Sequence, residues 1–424
     1  PATNKYPLKI KTNKYVAGKK YDGIKEFTLH MNFHDPTMLR EKLNYEICAD
    51  LGLYSLRTAF AKVYINNIYW GLFTIVEGKD EMYKQVFDHR DMDAVQSLDF
   101  GSMCYISNNP ADYDYHQNGG NPRYELENGS DATAWPRFVQ LIDLANNTST
   151  AQYMSTVEPY FNLRDFFTYQ AANVYLMNFD SYIGFLGNQI YVFDTLTNRW
   201  EVTPWDFNAS FGLWDTNNSS PTTYPLFPSR ITSGCVAEKM NDIPQLRTWY
   251  LDAMCTMMNT LCDTVTMNDR IDELAAQIRQ AVYDDTRKVI TNQDFENGLG
   301  YGYYQLFWDN QPALKSFMAE RYQVISQGLI AENYNCPLVS AAEPTHLPQQ
   351  LTVYPNPAST QFAFELPAQE TGAVQVRIFN TKGQVVHTES SAAHRIDVET
   401  LPAGIYFLQV QGENGNYQGK FLKQ

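Results

Sequence analysis

No run of ~18 or more apolar residues occurs anywhere in the chain, so no segment of it reads as a membrane-crossing helix. None of its six cysteines forms a C-x-x-C pair, which argues against a zinc ribbon or a thioredoxin-type site. Histidine is scarce, seven in 424 residues. With no H-E-x-x-H, no G-x-S-x-G, no P-loop and no dinucleotide-binding glycine pattern, zinc hydrolysis, serine hydrolysis and the common nucleotide folds are disfavoured. Basic residues fall short of acidic ones, 32 against 47, for a net charge of −15. A nucleic-acid backbone is repelled by that balance and is not an expected partner, although a local basic pocket could still take a phosphate ligand.

Aromatics, by contrast, are plentiful at 14%, and hydrophobic residues make up 44%. Such a chain buries enough surface to fold, and 424 residues suggest two or three domains. An even cysteine count permits three disulfides, but a protein of this size does not need them. Cys48 falls on an apolar helix face and reads as a buried free thiol. Residue 1 is Pro rather than Met, so any signal peptide is expected upstream.

Composition shifts once. Residues 1–335 are rich in Tyr, Trp, Phe and Met, and 336–350 (CPLVSAAEPTHLPQQ) are Pro-punctuated and aperiodic, which reads as a linker. Residues 351–424 hold seven short alternating segments, among them QFAFELP, AVQVRIFN and GIYFLQVQ, separated by turn signals. That pattern predicts a small all-β sandwich of the immunoglobulin type. In the first block, KYPLKIKT and GIKEFTLHM alternate as strands, and DPTMLREKLNYEICADLGL has Leu39, Leu43, Ile47 and Leu51 at helical spacing. Asp35 is placed to cap that helix, Pro36 to occupy its first position and Gly52 to stop it. AKVYINNIYWGLFTIVE reads as a hairpin around Asn66-Asn67. Residues 98–131 read as loop, 132–147 and 162–180 as helices, NQIYVFD-TLTN-RWEVTPWDF as a second hairpin, and 236–331 as mostly helical. The layout is α+β, with strands concentrated early and helices late.

Three residues stand out for chemistry. Asp180 closes a long apolar helix, Asn188 follows eight residues on, and Asp206 comes after the second strand of the later hairpin. In that order, the first Asp suits proton acceptance from a hydroxyl. The Asn and second Asp offer the hard oxygen ligands that Mg²⁺ on a nucleotide's phosphates requires. Asp is also common at helix ends and hairpins simply because it caps and turns, and spacing alone leaves both readings open.

DPTMLREKL, the Asn66-Asn67 turn, GLFTIVE and WEVTPWDFNASFG, taken in order, resemble the spore-coat CotH kinase family over residues 4 to about 335. The resemblance implies a divergent protein-kinase-like two-lobed fold. It implies an atypical kinase that moves the γ-phosphoryl of ATP to Ser or Thr of a protein substrate, with Mg²⁺ or Mn²⁺. By the same resemblance Asp180 is catalytic, and Asn188 and Asp206 bind metal. Glu77 sits beside the adenine pocket, and Arg40 and Glu46 serve the nucleotide from the first helix, with Glu46 pairing a phosphate-binding Lys. Lys5 best matches that Lys, although Lys9 and Lys11 share its face of the strand. The family often carries Y-E-x-K where this chain has YELE, so Glu127 stands at a Lys position. YPNPAST, IFNTKGQVV, LPAGIYFLQV and the closing KFLKQ resemble the type A sorting domain of type IX secretion. This implies passage through the periplasm, recognition of 351–424 by the export machinery, and release outside the cell or at its surface. A non-catalytic surface or adhesion protein on a kinase-like scaffold is the alternative, since ATP is scarce there.

Overall fold

The computed structural model describes residues 5–21, 24–79, 83, 92–98, 100–120, 124–184, 187–195, 197–213, 220–306, 309–336, 349–366, 374–380, 385–392, 394–411 and 416–424. It divides into two compact units, residues 1–337 and 338–424. Most of the expected linker, 337–348, lies outside the described residues.

The first unit opens with an antiparallel sheet in the order β1-β2-β4-β3, formed by β1 (Leu8–Lys11), β2 (Glu26–His30), β3 (Thr58–Ile65) and β4 (Ile68–Glu77). Asn66 and Asn67 both have positive φ, 52° and 63°. This is the backbone a two-residue type I′ turn demands, and asparagine tolerates it better than most residues. Between β2 and β3 runs helix α1 (Arg40–Asp50). It begins later than the Pro36 signal suggests, because Met38 takes φ 57° and breaks the turn before it. Asp35 still caps it: one carboxylate oxygen accepts the N–H of Arg40 at 2.8 Å, and the other accepts the N–H of Thr37 at 2.9 Å.

A second antiparallel sheet has the order β6-β5-β7-β8, from β5 (Asp93–Ser97), β6 (Tyr124–Asn128), β7 (Gln189–Asp194) and β8 (Arg199–Pro204). The loop expected over 98–131 thus contains a strand, and a further strand precedes it. β5 is buried along its whole length, so it lacks the alternation by which a half-exposed strand is recognised. Helix α2 (Asp131–Asn147) packs its aromatic face here, with Phe138 meeting Tyr191 and Trp200 at 5.6 Å between ring centroids.

Helix α3 (Leu163–Tyr175) is shorter than its apolar run. Asn162 caps its start, and the Asn162 N–H donates to the Trp200 carbonyl at 2.8 Å, locking the helix to β8. At its far end the buried Arg321 donates to the carbonyls of Val174 and Tyr175, taking the place of the missing next turn. Helices α4 (Pro244–Thr256), α5 (Thr264–Asp284), α6 (Asn292–Leu299) and α7 (Leu314–Ala331) follow, interrupted by a short hairpin of β9 (Tyr303–Leu306) and β10 (Asp309–Pro312). Disulfides join Cys104 to Cys235 and Cys255 to Cys336, while Cys48 and Cys262 are buried thiols.

The second unit is all β. β11 (Gln349–Gln350), β14 (Val374–Asn380), β15 (Val385–Ser391), β17 (Gly404–Gln411) and β18 (Asn416–Lys423) form a five-stranded sheet in the order β11-β18-β17-β14-β15. β12 (Val353–Tyr354), β13 (Gln361–Phe364) and β16 (Arg395–Asp397) form a three-stranded one. Its own core includes Phe362, Ile378, Leu408 and Phe421. Among the described residues, no helix is long and apolar enough to cross a membrane.

Candidate functional site

The antiparallel register of β7 and β8 pairs Gln189 with Pro204. Asn188 and Asp206 therefore flank the same end of that ladder, opposite the turn. Both have φ of 54°, a conformation in which Asn and Asp are enriched. Tyr169 on α3 is bonded to this end. Its hydroxyl donates to the Asn188 carbonyl at 3.3 Å, and burial first, then several neighbours including the Asp180 charge, hold the phenol in its neutral form. Asp180 itself lies five residues beyond α3, half-buried, rather than on the helix.

Helix α1 approaches Asp206 from the other sheet. The Asp206 N–H donates to the Tyr45 hydroxyl at 3.1 Å, and the Tyr45 ring packs edge-on against Phe207 at 4.7 Å. One turn earlier on the same face is Glu41, fully buried. Both its oxygens accept from Nδ1 of His30, at 2.8 and 2.9 Å. His30, Glu41 and Asp206 each place one donor atom within 4.8 Å of those of the other two.

The electrostatics follow from that crowding. Burial raises the Asp206 carboxyl above its ordinary range, opposed by the nearby His30 and Lys79. Burial also raises Glu41, against the pull of His30 and with a push from Asp206. For His30 burial works the other way, but the Glu41 carboxylate outweighs it and the ring is held above its usual value. Asp206 Oδ1 is buried without a hydrogen-bond partner. A buried carboxylate oxygen left in this state is costly unless a cation completes it, so the residues present fit a divalent ion.

The other expected residues go to different places. Lys5 is buried, its ammonium bonded to Asp285 at 2.7 Å and to the Leu72 carbonyl at 2.5 Å. Arg40 is fully buried and pairs with Asp35 at 2.5 Å beneath the start of α1. Glu46 binds Arg270 at 2.7 Å and Lys42 at 2.8 Å. It is five residues from Glu41, roughly 140° around a helix of 3.6 residues per turn, so the two carboxylates cannot face the same point. Glu77 pairs across the ladder with Phe27, and Thr74 with His30. Glu77 lies three positions beyond Thr74, so their side chains leave opposite faces of the sheet. The Glu77 carboxylate is held by Arg57 at 2.6 Å and borders an apolar cavity of about 200 Å³ with Tyr21, Ile24, Phe27 and Ile75. Lys9 and Lys11 both bind Glu26.

Sequence reasoning missed His30, Glu41 and Lys79. Lys79 follows β4 by two residues and reaches Gln96 and Glu127, each at 2.7 Å, with its ammonium 4.3 Å from the Trp205 ring centre. Glu127, the acidic residue at an expected Lys position, is thus balanced by a Lys on a different element. The available signal for Glu41 was its four-residue spacing from Tyr45 on the buried face of α1. For His30 it was only its alternation with Thr28 on β2.

Residues 352–424 match the model of the secretion system C-terminal sorting domain. The protein is accordingly a secreted or cell-surface one, whose final block implies contact with the secretion machinery. The inner spore coat protein H of Bacillus subtilis is 25% identical over 46% of this chain and 52% of its own length. Invasin CotH2 of Rhizopus delemar is 21% identical over 60% of this chain and 47% of its own. The chain thus spans about half the length of these curated relatives. A solved structure of PorZ, a surface component of the type IX secretion system of Porphyromonas gingivalis, aligns at 17% identity over 21% of this chain and 13% of its own, with a TM-score of 0.15. Residues 2–325 match the model of the CotH kinase protein family, about three quarters of the sequence, and the chain belongs to that family.

Proposed function

We propose that residues 1–335 form a two-lobed, kinase-like domain that transfers the γ-phosphoryl group of ATP to a Ser or Thr hydroxyl of a protein. The observation that carries this reading is the Asp206 carboxylate. It is half-buried, with its Oδ1 atom buried and lacking a hydrogen-bond partner, at a ladder end shared with Asn188, whose carbonyl accepts from Tyr169. A divalent cation bound by Asp206 and Asn188 would neutralise the phosphate oxygens. Asp180 would accept the proton of the acceptor hydroxyl as its oxygen bonds to the γ-phosphorus and the bond to the β–γ bridging oxygen breaks. Lys79 and Trp205 would border the nucleotide, with Glu77 beside the base.

The test is the full chain with labelled ATP, Mg²⁺ or Mn²⁺ and a mixture of exported proteins. Label transfer is expected from the native chain and not from Asp180→Ala or Asp206→Ala. Transfer that persists unchanged in both variants would refute the reading. A second reading, a surface protein without catalysis, draws on the invasin name of the fungal relative and on the secreted location. It predicts no nucleotide binding at all.

A further inference from the structure

The Asp206 neighbourhood holds more than a kinase-like metal site requires. Two carboxylates, the buried Glu41 and the half-buried Asp206, converge with a single imidazole, and the donor atoms of all three lie within 4.8 Å of one another. Lys79 acts on Asp206 from nearby, but its ammonium is already bonded to Glu127 and Gln96. The three side chains come from β2, from α1 and from the segment after β8, elements drawn from two different sheets and a helix. Each is positioned independently: His30 by the β2–β4 ladder, Glu41 by the Asp35-capped helix, and Asp206 by the Tyr45 hydroxyl. Asp206 Oδ1 is buried and points at no donor.

Such a donor set has a chemical preference. Mg²⁺ takes oxygen ligands in a near-ideal octahedron and gives up water reluctantly. An imidazole nitrogen with two carboxylates favours borderline ions such as Mn²⁺, Fe²⁺ or Zn²⁺. We propose that His30, Glu41 and Asp206 together bind a divalent transition-metal ion through a nitrogen ligand, so that this site selects Mn²⁺ or Zn²⁺ over Mg²⁺. The proposal rests on the reading of Asp206 as a metal ligand given above and adds His30 and Glu41 to it, with the choice of ion that follows.

The experiment uses the full chain without nucleotide and Mn²⁺ as the probe, so that it does not depend on catalysis. Mn²⁺ binding is followed by electron paramagnetic resonance titration and the bound ion by pulsed measurement of nitrogen coupling. One Mn²⁺ per chain is expected, with a ¹⁴N modulation that changes to the ¹⁵N pattern when histidine is ¹⁵N-labelled. His30→Gln should remove the modulation, Glu41→Gln should weaken Mn²⁺ binding by about 10–100-fold, and Mg²⁺ should compete at least about tenfold less well than Zn²⁺. The labelling arm needs no variant, so a His30→Gln chain that fails to fold does not remove the test. Bound Mn²⁺ that is lost in Asp206→Asn but shows no nitrogen coupling would overturn the proposal and leave the phosphotransfer reading standing. The absence of any bound Mn²⁺ would overturn it too. Nitrogen coupling in a chain that transfers no phosphate would keep the site and refute the kinase reading.

Discussion

In the first unit the interior holds Lys5, Asp35, Arg40, Glu41, Glu77 and Asp93; in the second, the described polar residues that are buried are Ser391 and Lys423. The difference separates a unit with charged groups in its interior from one whose core is almost wholly apolar. Most of the buried charges of the first unit are matched one to one: Lys5 with Asp285, Arg40 with Asp35, Glu77 with Arg57, Asp93 with Arg137. Such pairs cost desolvation and are weak evidence of stabilisation. A different arrangement holds at Asp206, where two carboxylates share one imidazole. The sandwich needs none of this. Phe362, Ile378, Leu408 and Phe421 alternate inward from its strands, and apolar burial alone gives it a core.

The sharpest way to break the comparison is to separate the two functions. Asp180→Ala should reduce label transfer by about a thousandfold while export and melting stay unchanged. Deleting 351–424 should do the reverse, leaving transfer intact and the protein in the periplasm. Loss of the cooperative melt on that deletion would show that the units share a core.

Stability should divide along the same line. Asp35→Ala leaves the fully buried Arg40 unpaired and uncaps α1, so the first unit should lose about 3–5 kcal/mol. Phe362→Ala should cost the second unit about 3–5 kcal/mol through the cavity it leaves. Calorimetry should resolve two transitions, each lowered by one variant only.

A smaller effect comes from Glu201, buried on β8 and hydrogen-bonded by Asn162 at 2.6 Å. Burial pushes its carboxyl up to about 7 from 4.5. Between those values the folded chain holds a proton that the unfolded chain has released, so this group's contribution to stability falls as pH rises through that window. Glu201→Gln should therefore stabilise the first unit at pH 8, by on the order of 3 kcal/mol at most, and change little at pH 4. Equal melting shifts at the two pH values would contradict this.

Much of the framework was legible in the sequence because it rests on local signals. Asn66-Asn67 dictated a turn, Asp35 a cap, and the alternation after residue 351 a sandwich. What escaped depends on long-range geometry. β5 is buried on both faces and shows no period. Lys5 and Glu46 carry suitable charges, yet each is drawn to a partner more than 200 residues away, Asp285 and Arg270. Order and spacing singled out Asp180, Asn188 and Asp206 but left a capping or turning role equally open, and only the family resemblance chose between the two. The His30–Glu41 pair beside Asp206 could not, because it forms only when a strand, a helix and a loop from two sheets meet.

The most direct test of the central idea, that the carboxylates around Asp206 make a nucleotide site, is calorimetric titration of the full chain with ATP and Mn²⁺. Saturable binding of one nucleotide is expected, abolished by Asp206→Asn while the fold persists. A well-folded native chain that gives no heat of binding, or equal binding by native and Asp206→Asn chains, would contradict it.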